Sequence, residues 1–367
     1  MRLIIDAHLD LAMNVVHSDR DLTQELDVVR GQEAHMTDEP YRGRATTTLP
    51  EMRRGGIGTC IATLIGRSGP TYERPAAHRR TDIDFATRMG AHANAHAQLA
   101  CYRLLEQQGQ VRLIRTAREL DEHWQSWQQP AGDALPIGII LSMEGADSIV
   151  APEQAEQWWD QGLRAVGPVH YGHSHYAAGT GVTGPLTPDG VKLLGEFERL
   201  GMLLDVTHMC DQSMAHALEI YAGPVLASHH NCRELVPGDR QLTDDQIKLL
   251  IDRDAVIGAA MDNWMLYPGW QRGKTSPEVV GLDDVANHID HVCQLAGNTN
   301  HSAIGSDLDG GYGTEQTPRD LDSIADMQVL DGVLAARGYD DEARDRIFHG
   351  NWLRLFRRTL PSGKNDK

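Results

Sequence analysis

Two residues near the start of the chain are the first whose side chains could bind a ligand or take part in catalysis. His8 and Asp10 follow a short apolar run and are separated by one residue. Because side chains alternate along a strand, both would lie on the same face. An imidazole and a carboxylate together at a strand end suit a divalent metal ion. A His-x-Asp triplet is more often an ordinary hydrogen-bonded pair than a metal site. Whether this one binds a metal ion therefore depends on which residues lie at the other strand ends.

Residues of the same kinds end further predicted strands. In chain order these residues are Glu144, His170, His208, His229 and Asp307. Strands are depleted in acidic residues, and the strands of a parallel barrel are largely apolar. Each histidine alone would more often be a structural residue. Their recurrence at one strand end after another indicates a shared metal site.

The number and type of these residues indicate how many ions the site would hold. Three imidazoles (His8, His208 and His229) and the Asp10 carboxylate exceed the roughly three protein ligands that one catalytic Zn²⁺ needs. Glu144 adds a carboxylate that could bridge two ions about 3.5–4 Å apart. Such ligands, without a thiolate, favour Zn²⁺ and permit Mn²⁺, Co²⁺ or Fe²⁺. We therefore expect two divalent ions, with zinc preferred.

The elements that must position these residues form a repeating pattern. Short apolar runs predict strands at 3–9, 57–65, 137–142, 165–169, 202–206, 225–228, 255–261 and 303–306. Helices are predicted between most of them, at 81–105, 152–161, 189–200, 211–221, 243–252 and 282–295. Eight strands alternating with helices predict an α/β fold, the (β/α)₈ or TIM barrel. A doubly wound sheet is the competitor, but no GxGxxG motif supports it.

Two insertions and a tail complete the predicted organisation. The insertions span 15–56 after strand one and 263–281 after strand seven, and both are expected to be irregular. Loops at the carboxyl end of a barrel shape the substrate pocket. We expect a single catalytic domain over 1–360 and a flexible polar tail over 361–367.

Composition excludes several classes of partner. The net charge of -18 argues against nucleic acid or an anionic membrane as a partner. The five cysteines are scattered and form no CxxC pair, which is typical of reduced thiols in an intracellular protein. The sequence shows neither a signal-peptide pattern nor an apolar stretch long enough to span a membrane. We therefore expect a cytoplasmic protein.

The ordered motifs resemble the membrane dipeptidase (renal dipeptidase-like) family within the amidohydrolase superfamily. The resemblance lies in segments 6–10, 143–145, 205–208, 228–229 and 305–310, and in a closing motif at 349–356. It implies a binuclear zinc site in a (β/α)₈ barrel, in which a bridging hydroxide hydrolyses dipeptides. L,D-dipeptides are plausible substrates, because the family tolerates a D-residue at the C-terminal position. The family resemblance also implies a homodimer.

The resemblance assigns roles residue by residue. His8 and Asp10 would bind one zinc ion, His208 and His229 the other, and Glu144 would bridge the two. His170 matches the histidine that polarises the scissile carbonyl. Asp307 matches the catalytic acid/base. Arg240 matches the arginine that holds the terminal carboxylate of the substrate.

The chain departs from the family pattern at two of these positions. The segment after strand four differs, so His173 and His175 are rivals of His170. The usual Arg-Asn pair is replaced by Arg240 and a glutamine, which leaves Arg233 as a weaker rival for the carboxylate. These departures bear on substrate preference and leave the expected metal ligands intact.

Two other functions compete with dipeptide hydrolysis. The same metal centre could deacylate N-acyl amino acids or run another amidohydrolase reaction, and Arg240 would suit any substrate with a free carboxylate. A non-enzymatic scaffold on a decayed barrel is the second alternative. A decayed site should have lost a ligand or the acid/base, and every matched position is present.

Overall fold

The computed structural model describes residues 1–69, 79–129 and 135–363. Its strands are β1 (Ile4–Leu9), β2 (Ile57–Ile65), β3 (Arg67–Ser68), β4 (Asp84–Phe85), β5 (Val111–Leu113), β6 (Ile137–Glu144), β7 (Leu163–Gly167), β8 (Leu203–Asp205), β9 (Val225–Leu226), β10 (Ile257–Ala259) and β11 (Ser302–Ile304). The expected tail lies partly outside these ranges, since 364–367 are not among the described residues.

Parallel strands follow one another around a barrel in chain order. The first six barrel strands pair in the order β1-β2-β6-β7-β8-β9, and β10 pairs with β11. A parallel bridge between Ala227 and Ile257 connects the two groups. The Asp307 amide donates to the His8 carbonyl at 3.2 Å, which joins the last strand to the first. The predicted α/β barrel is thereby confirmed, with all eight predicted strands present.

Glycines allow the last strands to approach closely where the barrel closes. A Cβ atom added at Gly258 would lie 2.0 Å from the Ser228 carbonyl oxygen, and one added at Gly305 would lie 1.8 Å from it. Either distance is far below van der Waals contact, so only glycine permits this spacing. The close approach brings β10 and β11 against the backbone of Ser228, next to His229.

Thirteen α-helices lie within the described ranges, most of them between strands. They are α1 (Leu11–Ser18), α2 (Leu26–Glu33), α3 (Leu49–Arg54), α4 (Arg88–Gln107), α5 (Ala117–Trp127), α6 (Ala155–Asp160), α7 (Pro188–Leu200), α8 (Asp211–Ile220), α9 (Asp244–Asp252), α10 (Leu282–Ala296), α11 (Val329–Ala336), α12 (Asp341–Asp345) and α13 (Asn351–Thr359). None of the described helices is both long and apolar enough to cross a membrane.

Local capping explains where the predicted and observed boundaries differ. The helix predicted from residue 81 begins at Arg88, because the Thr87 side chain caps it by accepting from the Gly90 amide at 3.2 Å. The residues before Thr87 form a turn and strand β4 instead. Strand β5 and helix α5 were not predicted, and β5 pairs with the first half of β6. A three-residue strand is too short for a clear alternating pattern.

The first insertion is more regular than expected, since α2 and α3 lie within it. A buried arginine, Arg20, ties this insertion to the barrel. Its guanidinium contacts Glu33 at 2.7 Å and Asp309 at 3.2 Å. Asp309 also accepts hydrogen bonds from the backbone amides of Thr46 and Thr47. The insertion is therefore held against the loop that follows the last strand. The second insertion has the irregular form expected, with short 3₁₀ turns at Asn263–Met265 and Pro277–Val279.

Helix α13 contributes to the apolar cluster inside the barrel. Trp352 and Phe356 belong to the same buried cluster as inward-facing strand residues such as Ile5 and Ile140. The Trp352 indole donates to the carbonyl of Ile304 at 2.9 Å. A separate, larger cluster fills the space between the strands and the surrounding helices. The carboxyl ends of the strands are left to carry polar side chains.

The N-terminus of α9 provides a test of local stability. The predicted capping box is present: Thr243 accepts from the Gln246 amide at 3.2 Å, and the Gln246 side chain accepts from the Thr243 amide at 2.8 Å. We expect Thr243→Ala to lower the free energy of unfolding by about 1 kcal/mol, because the cap is lost. Thr243→Ser, which keeps the hydroxyl, is the matched control. Chemical denaturation should separate the two variants, and equal stability would show that the cap contributes nothing.

Candidate metal centre

Glu144 lies at the centre of three imidazoles at the carboxyl ends of the barrel strands. One of its carboxylate oxygens, Oε1, is 3.2 Å from His208 Nε2 and 3.4 Å from His229 Nε2. The same oxygen is 3.6 Å from His8 Nε2. All four side chains are buried. The structure therefore brings together residues that lie more than two hundred positions apart in the chain.

Carboxylates complete this cluster on the side of strand one. His8 Nε2 lies 4.0 Å from Asp10 Oδ1 and 3.7 Å from Asp307 Oδ1. Three overlapping groups of candidate ligand atoms, each within 4.8 Å, result: His8, Glu144 and His229; Glu144, His170 and His208; His8, Asp10 and Asp307. All five residues expected to bind metal belong to these groups. His170 and Asp307, expected to act on the substrate, belong to these groups as well.

The imidazoles are oriented by hydrogen bonds on their far side. The Ser228 hydroxyl lies 2.9 Å from His229 Nδ1 and 3.4 Å from His8 Nδ1. The Thr180 hydroxyl lies 3.2 Å from His208 Nδ1. Each Nε2 is thus directed at Glu144, and among the described residues His8 Nε2 has no hydrogen-bond partner. Contacts of this kind fix the tautomer of a metal-binding histidine.

Backbone conformation also aims two of these side chains. His208 has φ 66° and Asp307 has φ 60°, both in the left-handed region. Residues other than glycine seldom adopt this region, and the cost of about 1–3 kcal/mol is typical of functional sites. Each residue lies three positions after the end of a barrel strand, β8 for His208 and β11 for Asp307. The left-handed conformation presents their side chains to the cluster.

Burial sets the protonation of the cluster. It lowers the pKa of His8 to about 3, with the Arg240 charge as a smaller cause. Burial likewise lowers the pKa values of His208 and His229 well below the usual value. The imidazoles are therefore neutral, which is the form that binds metal. For Glu144, burial and then the Asp10 charge raise the pKa well above its usual value.

These residues fit a divalent metal ion. Neutral imidazole nitrogens and carboxylate oxygens are the donors that zinc and similar ions take. An ion among them would offset the mutual repulsion of Glu144, Asp10 and Asp307, which is a cause of the raised pKa of Glu144. The unpartnered Nε2 of His8 would also gain a partner there. The number and identity of the ions belong to the proposal below.

A cavity of about 420 Å³ opens above the cluster. It is lined by Arg240, His170 and Asp307 together with the cluster residues Asp10, Glu144 and His208. Arg240 is buried and donates from Nη2 to the carbonyl of His229 at 2.9 Å. Its Nε and Nη1 have no hydrogen-bond partner among the described residues. Two charged donors are therefore available to a ligand in the cavity.

His170 is held by an arginine that the sequence analysis did not single out. Arg67 Nη1 lies 3.0 Å from His170 Nδ1. A guanidinium can only donate, so Nδ1 must be the acceptor and the proton of the neutral ring lies on Nε2. Burial and then the Arg67 charge lower the pKa of His170 well below its usual value, which keeps the ring neutral. An Nε2–H group faces the cluster as a donor, and this tautomer suits a hydrogen bond to substrate rather than metal ligation.

The rival residues lie elsewhere. His173 is exposed, and His175 Nε2 is paired with Asp189 at 2.9 Å. Arg233 is paired with Asp211 at 2.7 Å. None of these rivals lines the cavity. Of these candidates, His170 and Arg240 line the cavity.

Two polar residues of the cavity, Arg67 and Asp262, are not among the residues predicted from the sequence. Arg67 follows strand β2, and arginine is not one of the residue types that bind a metal ion. Asp262 follows strand β10, lines the cavity and is buried. The rule that identified Asp307, an acidic residue at a strand end, would also have found Asp262.

Comparison with known proteins identifies the family. The sequence profile of the membrane dipeptidase family, peptidase family M19, matches residues 2–365. The chain is 29% identical over 248 residues to Dipeptidase verJ of Clonostachys rogersoniana, covering 66% of this chain and 58% of that protein. It is 27% identical over 230 residues to an uncharacterized protein of Klebsiella pneumoniae, covering 60% and 82%. The chain thus spans little more than half the length of Dipeptidase verJ.

Solved structures share the fold. Dipeptidase AC, a metallopeptidase of family M19, superposes with a TM-score of 0.80 at 23% identity, covering 98% of this chain and 99% of its own. A metallopeptidase from Rhodobacter sphaeroides, liganded with a phosphinate mimic of the dipeptide L-Ala-D-Ala, gives 0.78 at 23% identity, with the same coverage. Because the family profile covers nearly the whole chain, this protein belongs to the membrane dipeptidase family, peptidase family M19.

Proposed function

We propose that the protein is a zinc-dependent dipeptidase with a binuclear metal site. The observation that carries the proposal is the position of Arg240, a buried guanidinium with two unpartnered donors in the same cavity as the cluster around Glu144. A substrate with a free carboxylate would place the adjoining peptide bond over the cluster. Membership of a family of dipeptidases supports this choice of substrate.

Five residues would hold the metal ions. His8 and Asp10 would bind one zinc ion, His208 and His229 the other, and Glu144 would bridge them. When bound, two zinc ions lower the pKa of a water molecule and withdraw charge from the carbonyl group under attack. The distances around Glu144 support a shared ligand, because three imidazole nitrogens lie 3.2–3.6 Å from one of its oxygens.

The remaining groups would act directly on the substrate. His170 donates a hydrogen bond from Nε2 to the carbonyl oxygen, which stabilises the oxyanion that develops there. Asp307 takes the proton of the attacking water and delivers it to the leaving amine. Burial, and then the charge of Asp10, raise the pKa of Asp307 well above its usual value, which suits a group that must hold a proton. Arg240 pairs with the terminal carboxylate in a bidentate manner.

Stereochemistry and assembly are part of the same proposal. The Rhodobacter relative was solved with a mimic of L-Ala-D-Ala, which supports L,D-dipeptides as candidate substrates. Deacylation of N-acyl amino acids is the main alternative, since these substrates also carry a free carboxylate. The expectations of a homodimer and of a cytoplasmic location stay predictions.

An assay of substrates with and without metal tests the function. We expect the purified protein with two equivalents of Zn²⁺ to hydrolyse L-Ala-L-Ala or L-Ala-D-Ala, and the chelator-treated protein to lose this activity until zinc is restored. Amine release and elemental analysis are the measurements. N-acyl amino acids are assayed in parallel. Turnover of N-acyl amino acids without any dipeptide turnover would falsify the proposal.

The role of His170 predicts a loss of rate without a loss of metal. We expect His170→Ala to lower kcat by on the order of 10²–10³, because one oxyanion donor is removed. The metal content should stay at the wild-type level. His175→Ala, at a histidine paired with Asp189 outside the cavity, is the matched control and should keep full activity. Loss of metal from His170→Ala would show that this residue is a ligand.

The role of Arg240 predicts an effect that depends on the substrate carboxylate. We expect Arg240→Met to lower kcat/KM for a dipeptide by roughly 10–100-fold, because a charge-assisted pair contributes about 1.5–3 kcal/mol. The matched control is Arg233→Met, which removes an arginine paired with Asp211. A dipeptide amide, which lacks the carboxylate, should be turned over equally by wild type and Arg240→Met. An equal loss on both substrates contradicts carboxylate binding.

A further inference from the structure

Asp262 is a buried acid in the cavity that the proposed reaction does not use. Its side chain lies at the end of strand β10 and is 5% exposed. Its Oδ1 accepts from Gln316 Nε2 at 2.7 Å and from the Trp264 amide at 3.3 Å. No arginine, lysine or histidine of the described residues pairs with it within 4.0 Å. A carboxylate removed from water without a cation is costly, so its retention calls for a ligand or a functional reason.

Gln316 adds a second acceptor beside this carboxylate. It is also 5% exposed and lines the cavity. Its amide nitrogen is used by Asp262, and its Oε1 has no hydrogen-bond partner among the described residues. The charge of Arg272 acts on Asp262 by lowering its pKa, but Arg272 is itself paired with Glu315 at 2.9 Å. A carboxylate without a cationic partner among the described residues and an unpaired amide oxygen therefore lie together in the cavity, and a cationic donor with several protons would satisfy both.

Topology places this pair beside the part of the substrate that leaves. Strand β10 lies between β9, which leads to His229 and Arg240, and β11, which leads to Asp307. In the proposed reaction, Arg240 holds the carboxylate of the C-terminal residue and Asp307 protonates its amine. The side chain of that same residue would extend from between these two anchors, where Asp262 and Gln316 lie.

We propose that Asp262 and Gln316 form a subsite for a cationic side chain on the C-terminal residue of the substrate. The inference rests on the proposed dipeptidase function and narrows it to dipeptides that end in a basic residue such as lysine. The ammonium group would donate to the Asp262 carboxylate and to Gln316 Oε1. A neutral side chain of the same length would leave Gln316 Oε1 unpaired and the Asp262 carboxylate without a cationic partner. Burial raises the pKa of Asp262 to about 7, and a bound cation would favour its charged form.

A comparison of two nearly isosteric substrates tests the subsite. Alanyl-lysine and alanyl-norleucine differ at the side-chain end, where lysine carries the ammonium group. Each is assayed with an L- and a D-residue at the C-terminal position. We expect kcat/KM of the wild-type protein to be at least about tenfold higher for the lysine substrate, as a charge-assisted hydrogen bond implies.

Variants of these two residues distinguish a loss of the lysine preference from a general loss of activity. Asp262→Asn keeps the Oδ1 acceptor for Gln316 and removes the charge, so it should abolish the preference for lysine and leave alanyl-norleucine within about twofold of wild type. Gln316→Met should reduce the preference in the same direction. Glu39→Gln, which neutralises an exposed acid at the cavity mouth, is the matched control and should keep the preference. Metal content at the wild-type level confirms that each variant is folded.

Each other outcome overturns the inference in a recognisable way. Equal turnover of both substrates by wild type, or an equal loss on both in Asp262→Asn, shows that no side-chain subsite exists. A loss on alanyl-norleucine that is absent with N-propionyl-norleucine assigns Asp262 to the α-ammonium group instead. Absence of turnover with every dipeptide refutes the proposed function itself, and the inference falls with it.

Discussion

The contact of Glu144 with three imidazoles is the interaction on which the rest of the site depends. Each imidazole presents Nε2 to the same carboxylate oxygen, and all of the groups are buried. Without a cation, such a cluster combines desolvated carboxyl groups that repel one another with a ring nitrogen that lacks a partner. A divalent ion would relieve both costs. The arrangement of these side chains is therefore compatible with a metal site, and without a cation it would cost free energy.

The barrel supplies the rigidity that such a cluster requires. Parallel strands place their carboxyl ends at one rim, and the glycines at 258 and 305 let β10 and β11 pack closely against Ser228. Left-handed backbone at His208 and Asp307 turns these side chains toward the cluster. The buried contact between Arg20 and Asp309 holds the first insertion beside the same rim. Contacts on several sides thus hold His208 and Asp307 in their strained backbone conformation and offset its free-energy cost.

Residues of the same type around the cavity have different partners and therefore different roles. Five arginines line the cavity, and three of them, Arg67, Arg240 and Arg272, have different partners. Arg67 donates to His170 and sets its tautomer, Arg272 is paired with Glu315, and Arg240 retains two free donors. Only the last is available to an anionic group among these three. The acids differ as well, because Asp307 belongs to one of the groups of candidate ligand atoms among the described residues and Asp262 belongs to none of them.

The barrel, the eight strand segments and the polar residues at their ends could be predicted from the sequence, because the alternation of apolar runs and helices is local and polar strand ends are unusual. The capping box of Thr243 could be predicted for the same reason, since its two residues are three positions apart. Which candidate faces the cavity depends on the tertiary structure: His170 faces it rather than His173 or His175, and Arg240 rather than Arg233. These choices depend on partners distant in the chain, such as Arg67 for His170. The separation of His8, Glu144 and His229 in the sequence does not show how far apart they lie in space. The closure of the barrel brings the two imidazoles to one carboxylate oxygen of Glu144.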